Sequence, residues 1–305
     1  MAERELIEQL DTANDALLTG RRPPDVPEIA DLVAIAADLR DLPSPAFKAD
    51  LQWTLVPRKQ PTVQLHFLVR GVRGFIQFLH DAFGGTQEFL VDDRQGRVLH
   101  ARVRIGDSVV EMGDASEQSP PYAFGVHLYV PDVDAVYARA LAAGATSLHP
   151  VVDQPYGDRE GSVQDPYGNH WYIATHLAPE QPVRPGLGTV TLFLHPRGTG
   201  RMIEFLESAF GARPAEAIEK APDGTIAYAA VRLGDSTIEM GEAHGQWQPM
   251  QAGIHLYVDD ADAIYRQAMA AGAVSIVEPY DAPYGERSAI VIDPFGNHWY
   301  IGTPL

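Results

Sequence analysis

A stretch of about fifty residues occurs twice in this chain, in register and without a gap. Residues 123–175 align with residues 251–303, so that His127 lines up with His255 at an offset of 128 positions. More than half of the aligned positions are identical, which chance does not produce. A repeat of this length predicts two copies of one domain, preceded by a segment of another kind.

Composition excludes several functional classes. The 305 residues leave room for two domains of ordinary size and an appendage. A net charge of -18, spread over the whole length, offers no basic surface for phosphates, so we expect neither nucleic acid nor a membrane as a partner. The absence of cysteine excludes disulfides, thiolate nucleophiles and zinc–thiolate sites. The first ten residues lack the apolar core of a signal peptide, so we expect a cytoplasmic protein.

The order of predicted elements divides the chain into an arm and two domains. Apolar residues recur at helical spacing between Leu6 and Leu17 and again between Ile29 and Leu39, which predicts a helical arm. Each repeat then predicts a strand, a helix and three strands, twice in succession, so that four βαβββ modules follow one another. The predicted boundaries are 1–60 for the arm, 61–176 for the first domain, 177–185 for a Pro-rich linker and 186–305 for the second domain.

Alternation along the strands predicts which side chains face a common site. In residues 126–130, Val126 and Leu128 share one face, and His127 and Tyr129 share the other. The aliphatic face must meet the helices, so His127 faces the opposite side of the sheet. The same reasoning collects on that side of the first repeat His66, His100, Arg102, Glu111, His127, His170 and Tyr172. In the second repeat it collects Tyr228, Glu239, His255, His298 and Tyr300.

Two sequence motifs carry a resemblance to a known family. The strand GVHLYV and the segment DPYGNHWYIATH resemble the vicinal oxygen chelate superfamily, which comprises glyoxalases, bleomycin-resistance proteins and extradiol dioxygenases. The elements IGDS, AGAT, YGDR and DPFGN are similar to those of its PhnB-like branch. The resemblance covers residues 61–176 and 186–303. It implies an α+β fold of two tandem domains, each of paired βαβββ modules that form a cup-shaped sheet.

The resemblance also implies a place for a divalent metal. Transferred by position, its ligands are His66, Glu111, His127 and Tyr172 in the first domain, and Phe193, Glu239, His255 and Tyr300 in the second. A neutral tyrosine is a poor ligand, because its phenol must first lose a proton of pKa about 10. We therefore expect at most one ion (Fe, Ni, Co, Mn or Zn), held in the first domain by His66, Glu111 and His127. The alternative is that His127 and His255 lie in a hydrogen-bonded pocket without metal.

Two functions follow from these expectations. The first is a metal-assisted lyase, isomerase or dioxygenase that acts on a small oxygen-rich molecule, with Glu111, His127 and Tyr172 as catalytic residues. The second is a non-catalytic protein of the bleomycin-resistance type that sequesters an aromatic or cationic compound in an acidic, tyrosine-lined cavity. The expected substrate-binding residues are His100, Arg102, Tyr129, Arg159, His170, His255, Tyr257 and Tyr300. For Arg159 an ion pair within its loop or across strands is the alternative, and the expected assembly is a monomer or homodimer.

Overall fold

The computed structural model describes residues 62–117, 119–177, 187–216, 218–282 and 285–305, together with Thr12, Ala13 and Ala16. The chain divides into two units, residues 1–59 and 60–305. Thr12, Ala13 and Ala16 are helical. The rest of the predicted arm, and the predicted linker apart from Leu177, lie outside the described residues. Across the described ranges, no helix is both long enough and apolar enough to cross a membrane.

Residues 62–305 fold as four modules. Module 1 comprises β1 (Val63–Val69), α1 (Val72–Phe83), β2 (Thr86–Asp92), β3 (Val98–Ile105) and β4 (Ser108–Asp114). Module 2 comprises β5 (Gly125–Tyr129), α2 (Val133–Ala142), β6 (Thr146–Asp153), β7 (Asp158–Gln164) and β8 (His170–His176). Module 3 comprises β9 (Val190–Leu194), α3 (Thr199–Phe210), β10 (Arg213–Pro214), β11 (Glu219–Lys220), β12 (Ile226–Leu233) and β13 (Ser236–Met240). Module 4 comprises β14 (Gly253–Tyr257), α4 (Ala261–Ala270), β15 (Val274–Ala282), β16 (Glu286–Ile292) and β17 (His298–Pro304).

Local sequence sets the ends of the helices. The carboxylate of Asp132 accepts a hydrogen bond from the Ala135 N–H at 3.0 Å, and so caps the first turn of α2. Asp260 and Ala263 repeat this contact at the start of α4. Helix α1 ends at Gly84, which adopts a φ of 71° that residues with a Cβ rarely tolerate. These capping residues recur in both repeats because each copy keeps the same turn chemistry.

The α+β fold class is confirmed, but the modules pair differently from the sequence expectation. Sheet I has the order β15-β16-β17-β14-β1-β4-β3-β2, and therefore joins modules 1 and 4. Sheet II has the order β10-β12-β13-β9-β5-β8-β7-β6, and joins modules 2 and 3, with β11 paired to β12. The junctions are antiparallel: Val63 pairs with Leu256 in sheet I, and Gly125 with Phe193 in sheet II. Each sheet thus takes one module from each repeat.

The helices and an aromatic core hold the two sheets together. Helix α1 packs on β3 and β4, α2 packs on β7 and β8, and the two helices contact each other. Phe67 of sheet I stacks on Phe124 at 4.7 Å between ring centroids and lies 6.0 Å from Trp171 of sheet II. Burying such rings dominates the energetics of a core. The first repeat is therefore continuous through its helices, although its strands belong to two sheets.

The DPYGN and DPFGN segments are structural turns, because aspartate, proline and glycine stand at the positions that a tight reversal favours. Asp165 accepts hydrogen bonds from the Asn169 N–H and side-chain amide at 2.9 Å each, and from the Trp171 indole N–H at 2.9 Å. Asp293 makes the same contacts with Asn297 and Trp299. The aspartate of each turn thus satisfies the polar atom of a buried tryptophan, and the motif belongs to the core.

Candidate functional site

Polar side chains gather on the face of each sheet that lies opposite the helices. Site I, on sheet I, is the cluster of His66, His100, Arg102, Glu111, His255, Tyr257, Glu286 and Tyr300. Site II, on sheet II, is the cluster of His127, Tyr129, Glu160, Tyr172, Phe193, Tyr228 and Glu239. The two sites are related by the internal repeat, and each draws its residues from both repeats.

A histidine lies between two glutamates in site I. The Nδ1 of His255 lies 2.7 Å from Oε2 of Glu111, and its Nε2 lies 3.5 Å from Oε1 of Glu286. The hydroxyl of Tyr257 donates to the other Glu111 oxygen at 3.2 Å, and the Tyr257 ring stacks on His255 at 4.1 Å. Glu111 is 1% exposed, so both of its oxygens depend on these protein partners.

The pKa values in site I follow from this geometry. Burial by itself lowers the pKa of His255, but the hydrogen bonds to Glu111 and Glu286 outweigh burial and raise this pKa to about 9. Burial would raise the pKa of Glu111, yet the bond from His255 and nearby histidines lower it to about 2. At neutral pH the pair is therefore a buried imidazolium and carboxylate.

The part of site I around His66 and Tyr300 is uncharged. Burial lowers the pKa of His66 to about 3, against the opposing charge of Glu111, so its imidazole is neutral. The His66 Nδ1 lies 3.1 Å from the hydroxyl of Tyr122, which donates to the His66 carbonyl oxygen at 3.0 Å. That hydroxyl is also 3.4 Å from the hydroxyl of Tyr300. Tyr122 comes from the segment between β4 and β5, and it approaches closely because Gly253 has no Cβ.

Site II contains the same histidine–glutamate pair as site I, but different side chains surround it. The Nδ1 of His127 lies 2.9 Å from Oε2 of Glu239, and its Nε2 lies 3.8 Å from Oε2 of Glu160. The Tyr228 hydroxyl donates to the other Glu239 oxygen at 2.8 Å. Burial lowers the pKa of His127, but the charge and hydrogen bond of Glu239 outweigh it and raise that pKa. Burial also raises the pKa of Glu160.

Site II is richer in aromatic side chains than site I. Phe193 occupies the position of His66, and its ring lies 5.3 Å from that of Tyr172. Trp247, from the segment between β13 and β14, lies 5.3 Å from Tyr172 and stacks on His195 at 5.8 Å. The Tyr172 hydroxyl lies 2.8 Å from Nε2 of His195. Tyr129 stacks on the central histidine of this site at 4.2 Å.

The basic residues of the two sites also differ. In sheet I, Arg102 pairs in register with Glu111, and its guanidinium lies 5.2 Å from the Phe89 ring. In sheet II, Ala230 takes the place of Arg102 opposite Glu239. Among its described residues, the site II cluster therefore contains two acidic side chains, Glu160 and Glu239, and one basic side chain, His127, and it contains no arginine.

The expected metal triad is divided by the fold. His66 and Glu111 lie in register on β1 and β4 of sheet I, whereas His127 lies on β5 of sheet II. The physical reason is the exchange of partners: β14 takes the position beside β1 that the sequence assigned to β5. His255 and Tyr300 therefore face Glu111, and His127 and Tyr172 face Glu239.

The side chains of neither site fit the metal that the resemblance implies. In site I the Nδ1 of His255 and a Glu111 oxygen share a hydrogen bond, whereas metal ligands must give up that proton. Site II keeps the same bond although Phe193 removes a third ligand. Within the described residues, no group of three histidine, aspartate or glutamate side chains could hold an ion. The repeated carboxylate–imidazole pair is thus accounted for by hydrogen bonding.

Arg159 lies on the other face of its strand. Its guanidinium donates to both oxygens of Asp134 on α2, at 2.7 and 2.9 Å, and to Asp153 at 2.7 Å. Arg287 makes the same contacts with Asp262 and Asp281. The expected substrate contact of Arg159 is therefore replaced by the cross-strand and helix ion pairs, because strand alternation directs it toward α2.

Of the other expected binding residues, His100, Arg102, His255, Tyr257 and Tyr300 lie in site I, and Tyr129 lies in site II. His170 lies at the edge of site II, 6.1 Å from the Trp247 ring. Sequence reasoning missed Glu160, Glu286, Tyr122 and Trp247. Alternation could have found Glu160, which neighbours the helix-facing Arg159 and so must face the site. Tyr122 and Trp247 lie on connecting segments, where no periodicity applies.

Comparison with known proteins agrees with this architecture. The family profile of the Glyoxalase/Bleomycin resistance protein/Dioxygenase superfamily matches residues 63–173 and 196–301. Uncharacterized protein Rv0887c of Mycobacterium tuberculosis is 34% identical over 142 residues, covering 43% of this chain and 80% of that protein. Putative glyoxylase CFP32 of Mycobacterium bovis is 27% identical over 201 residues, covering 62% of this chain and 72% of the relative.

A solved structure shares the fold at low sequence identity. Glyoxalase I from Zea mays superposes with a TM-score of 0.59 at 16% identity, covering 79% of this chain and 92% of that one. The PhnB-like branch stays a prediction. The profile match spans most of both repeats, and the chain therefore belongs to the Glyoxalase/Bleomycin resistance protein/Dioxygenase superfamily.

Proposed function

We propose that the protein binds a small cationic molecule with an aromatic or aliphatic body, and that site II is the principal binding site. Members of the superfamily bind small-molecule substrates or ligands and usually a divalent metal. The observation that carries the proposal is the composition of site II, where aromatic side chains and two glutamates lie around His127.

The chemistry of site II suits a cation in two ways. The faces of Tyr129, Tyr172 and Trp247 offer the negative side of a ring quadrupole, which attracts ammonium groups. Glu160 and Glu239 outnumber the single imidazolium of His127, and the net charge of -18 favours the approach of cations. Tyrosine and tryptophan also bury apolar parts of a ligand at little conformational cost.

Calorimetry with charged and neutral probes tests the proposal. We expect benzyltrimethylammonium to bind the full chain, and benzyl alcohol and benzoate to bind at least about tenfold more weakly. Glu160→Gln should weaken binding of the ammonium probe severalfold, because it removes a carboxylate from site II. The matched variant in site I, Glu286→Gln, should leave that affinity unchanged. Equal affinity for benzoate, or an effect only of Glu286→Gln, would refute the proposal.

Enzymatic chemistry is the second candidate, and site I favours it. That site has two imidazoles, His66 and His255, beside Glu111, and a relative is named a putative glyoxylase. Metal binding would require the hydrogen bond between His255 and Glu111 to break, so that both side chains could act as ligands. Elemental analysis of protein purified without an affinity tag separates the candidates: one divalent ion per chain, lost in His66→Phe, would favour a metal-assisted lyase, isomerase or dioxygenase.

Each sheet finds both of its modules within one chain, so we propose that a monomer is sufficient for binding. A homodimer remains compatible with the site geometry. Sedimentation velocity at the concentration used for calorimetry measures this directly. The expected cytoplasmic location and the lack of nucleic acid and membrane partners remain predictions from composition.

A further inference from the structure

A cavity of about 280 Å³ lies between modules 3 and 4. The apolar part of its wall includes Met202 from α3, Met250 from the segment before β14, and Phe295 from the turn before β17. The polar part of the lining comprises Arg197, Arg201, His195 and Asn297. None of the glutamates of sites I and II lines it, and the cavity adjoins site II through His195, whose Nε2 lies 2.8 Å from the Tyr172 hydroxyl.

The corresponding place between modules 1 and 2 is filled. Helices α1 and α3 align without a gap, which sets Gly74 opposite Arg201 and Phe75 opposite Met202. Tyr167 corresponds to Phe295, and its ring meets Phe75 edge-on at 5.0 Å. Its hydroxyl lies 2.6 Å from where a Cβ on Gly74 would be. Gly74, Phe75 and Tyr167 close this space in the first half, and the second half has a different residue at each of the three positions.

The two arginines of the cavity donate hydrogen bonds to uncharged groups in the described structure, and Arg201 also lies close enough to the Glu242 carboxylate to help lower the pKa of that group. Arg197 donates to the Gln248 side-chain oxygen at 3.1 Å, and Arg201 donates to the Arg197 carbonyl oxygen at 3.0 Å. The nearby carboxylate of Glu242 accepts hydrogen bonds from the first amides of α3, at 2.6 and 2.8 Å. Both arginines are exposed. In a chain with a net charge of -18, two neighbouring arginines of this kind form a local cationic group.

We propose that this cavity binds a small organic carboxylate, with the apolar body among Met202, Met250 and Phe295 and the carboxylate against Arg197 and Arg201. Guanidinium groups hold carboxylates through paired, charge-assisted hydrogen bonds. A mostly apolar wall with a few polar groups at one end is the usual composition of a small-molecule site, and the volume suits a ligand of modest size. This cavity differs from sites I and II in its charged residues and takes a ligand of opposite charge, although His195 lies between it and site II.

Titration of the full chain with octanoate and 1-octanol tests the site. Octanoate should bind once per chain, at least about tenfold more tightly than octanol, because only the carboxylate engages the arginines. Arg197→Ala should reduce the affinity for octanoate by about tenfold. The exposed Arg213→Ala, on β10, is the matched control and should have no effect.

A variant in which the cavity is filled gives a second test of octanoate binding. Arg201→Gly, Met202→Phe and Phe295→Tyr together install the residues that fill the first half, and should abolish octanoate binding with the fold intact by circular dichroism. Glu239→Gln, which alters site II, should leave octanoate binding unchanged. Equal affinity for octanoate and octanol, no binding of octanoate at millimolar concentration, or unchanged binding in Arg197→Ala would overturn the proposal.

Discussion

Replacing Glu111 by glutamine tests the buried ion pair of site I. The pKa of His255 lies at about 9 against an ordinary value of 6.5, and one pKa unit corresponds to about 1.4 kcal/mol. Glu111 and Glu286 together therefore give the charged form of His255 a net stabilisation of about 3 kcal/mol, and the closer of the two, Glu111, supplies the larger share. Removing one partner of a buried pair costs about 3 to 5 kcal/mol. The lowered pKa of Glu111 reflects the same interaction, so it makes no separate contribution to the free energy of unfolding.

The pH dependence of this loss has a definite sign. A histidine whose pKa is raised by folding stabilises the folded state fully below about pH 6.5, and this contribution disappears as the pH rises through about 9. Glu111, whose pKa is lowered, contributes above about pH 4.5, and its contribution falls as the pH drops toward 2. Glu111→Gln should therefore cost about 3 kcal/mol at pH 6 and about 1.5 kcal/mol at pH 10, where the imidazole is neutral and only its hydrogen bond to the carboxylate is lost.

Urea unfolding of wild type and Glu111→Gln at both pH values measures the difference, and other titrating groups cancel between the two proteins. Glu88→Gln is the control, because Glu88 pairs with Arg104 at the surface and should contribute at most about 1 kcal/mol at either pH. An equal loss at pH 6 and pH 10, or a loss at pH 6 no larger than that of the control, would refute the assignment.

Three further substitutions test individual contacts. Gly253→Ala should displace the Tyr122 hydroxyl from site I and lower the melting temperature by several degrees, because an added Cβ would overlap that hydroxyl; an unchanged melting curve would contradict this. Asp165→Ala should destabilise the protein by about 3 kcal/mol or more in urea, since it leaves the Trp171 indole and neighbouring amides unsatisfied; a loss below about 1 kcal/mol would count against it. Arg159→Ala should leave the affinity for benzyltrimethylammonium unchanged. A tenfold loss of affinity in calorimetry would support the ligand-binding role that the sequence predicts for Arg159.

Local structure could be predicted from the sequence because each element carries its own pattern. The sequence pattern predicts a strand over 63–69 and a helix over 72–83, closed by Gly84 and Gly85, and these are the bounds observed for β1 and α1. Asp132 was recognisable as a helix cap, and Trp171 as a core residue, because caps and alternation depend on neighbours within a few positions. The direction of His127 away from the helices follows from the same local rule.

The pairing of modules could not be predicted in this way. Strands β5 and β14 read GVHLY and GIHLY, so either could lie beside β1 with the same residues on the same face. Alternation fixes which side chains share a face, but it does not choose between two nearly identical partner strands. That choice decides whether Glu111 meets His127 or His255, and it therefore decides the composition of both sites. Glu160 and Glu286, by contrast, each lie in the same module as the histidine they approach, and alternation along β7 is enough to find Glu160.

The exchange of modules between the two sheets can be measured with engineered cysteines, because the chain has none of its own. Val63 and Leu256 are paired residues of β1 and β14, and the Tyr257 N–H bonds to the Thr62 carbonyl beside them. By the alternation of antiparallel ladders, Val63 and Leu256 form a close, non-hydrogen-bonded pair suited to a disulfide.

Val63→Cys with Leu256→Cys should form an intramolecular disulfide on mild oxidation, seen by mass spectrometry of the monomer. The comparison is Val63→Cys with Leu128→Cys, in which Leu128 is the counterpart of Leu256 in the first repeat. The account predicts a disulfide in the first variant and free thiols in the second. A disulfide between positions 63 and 128, with free thiols at 63 and 256, would show that each repeat builds its own sheet and would contradict the composition of both sites.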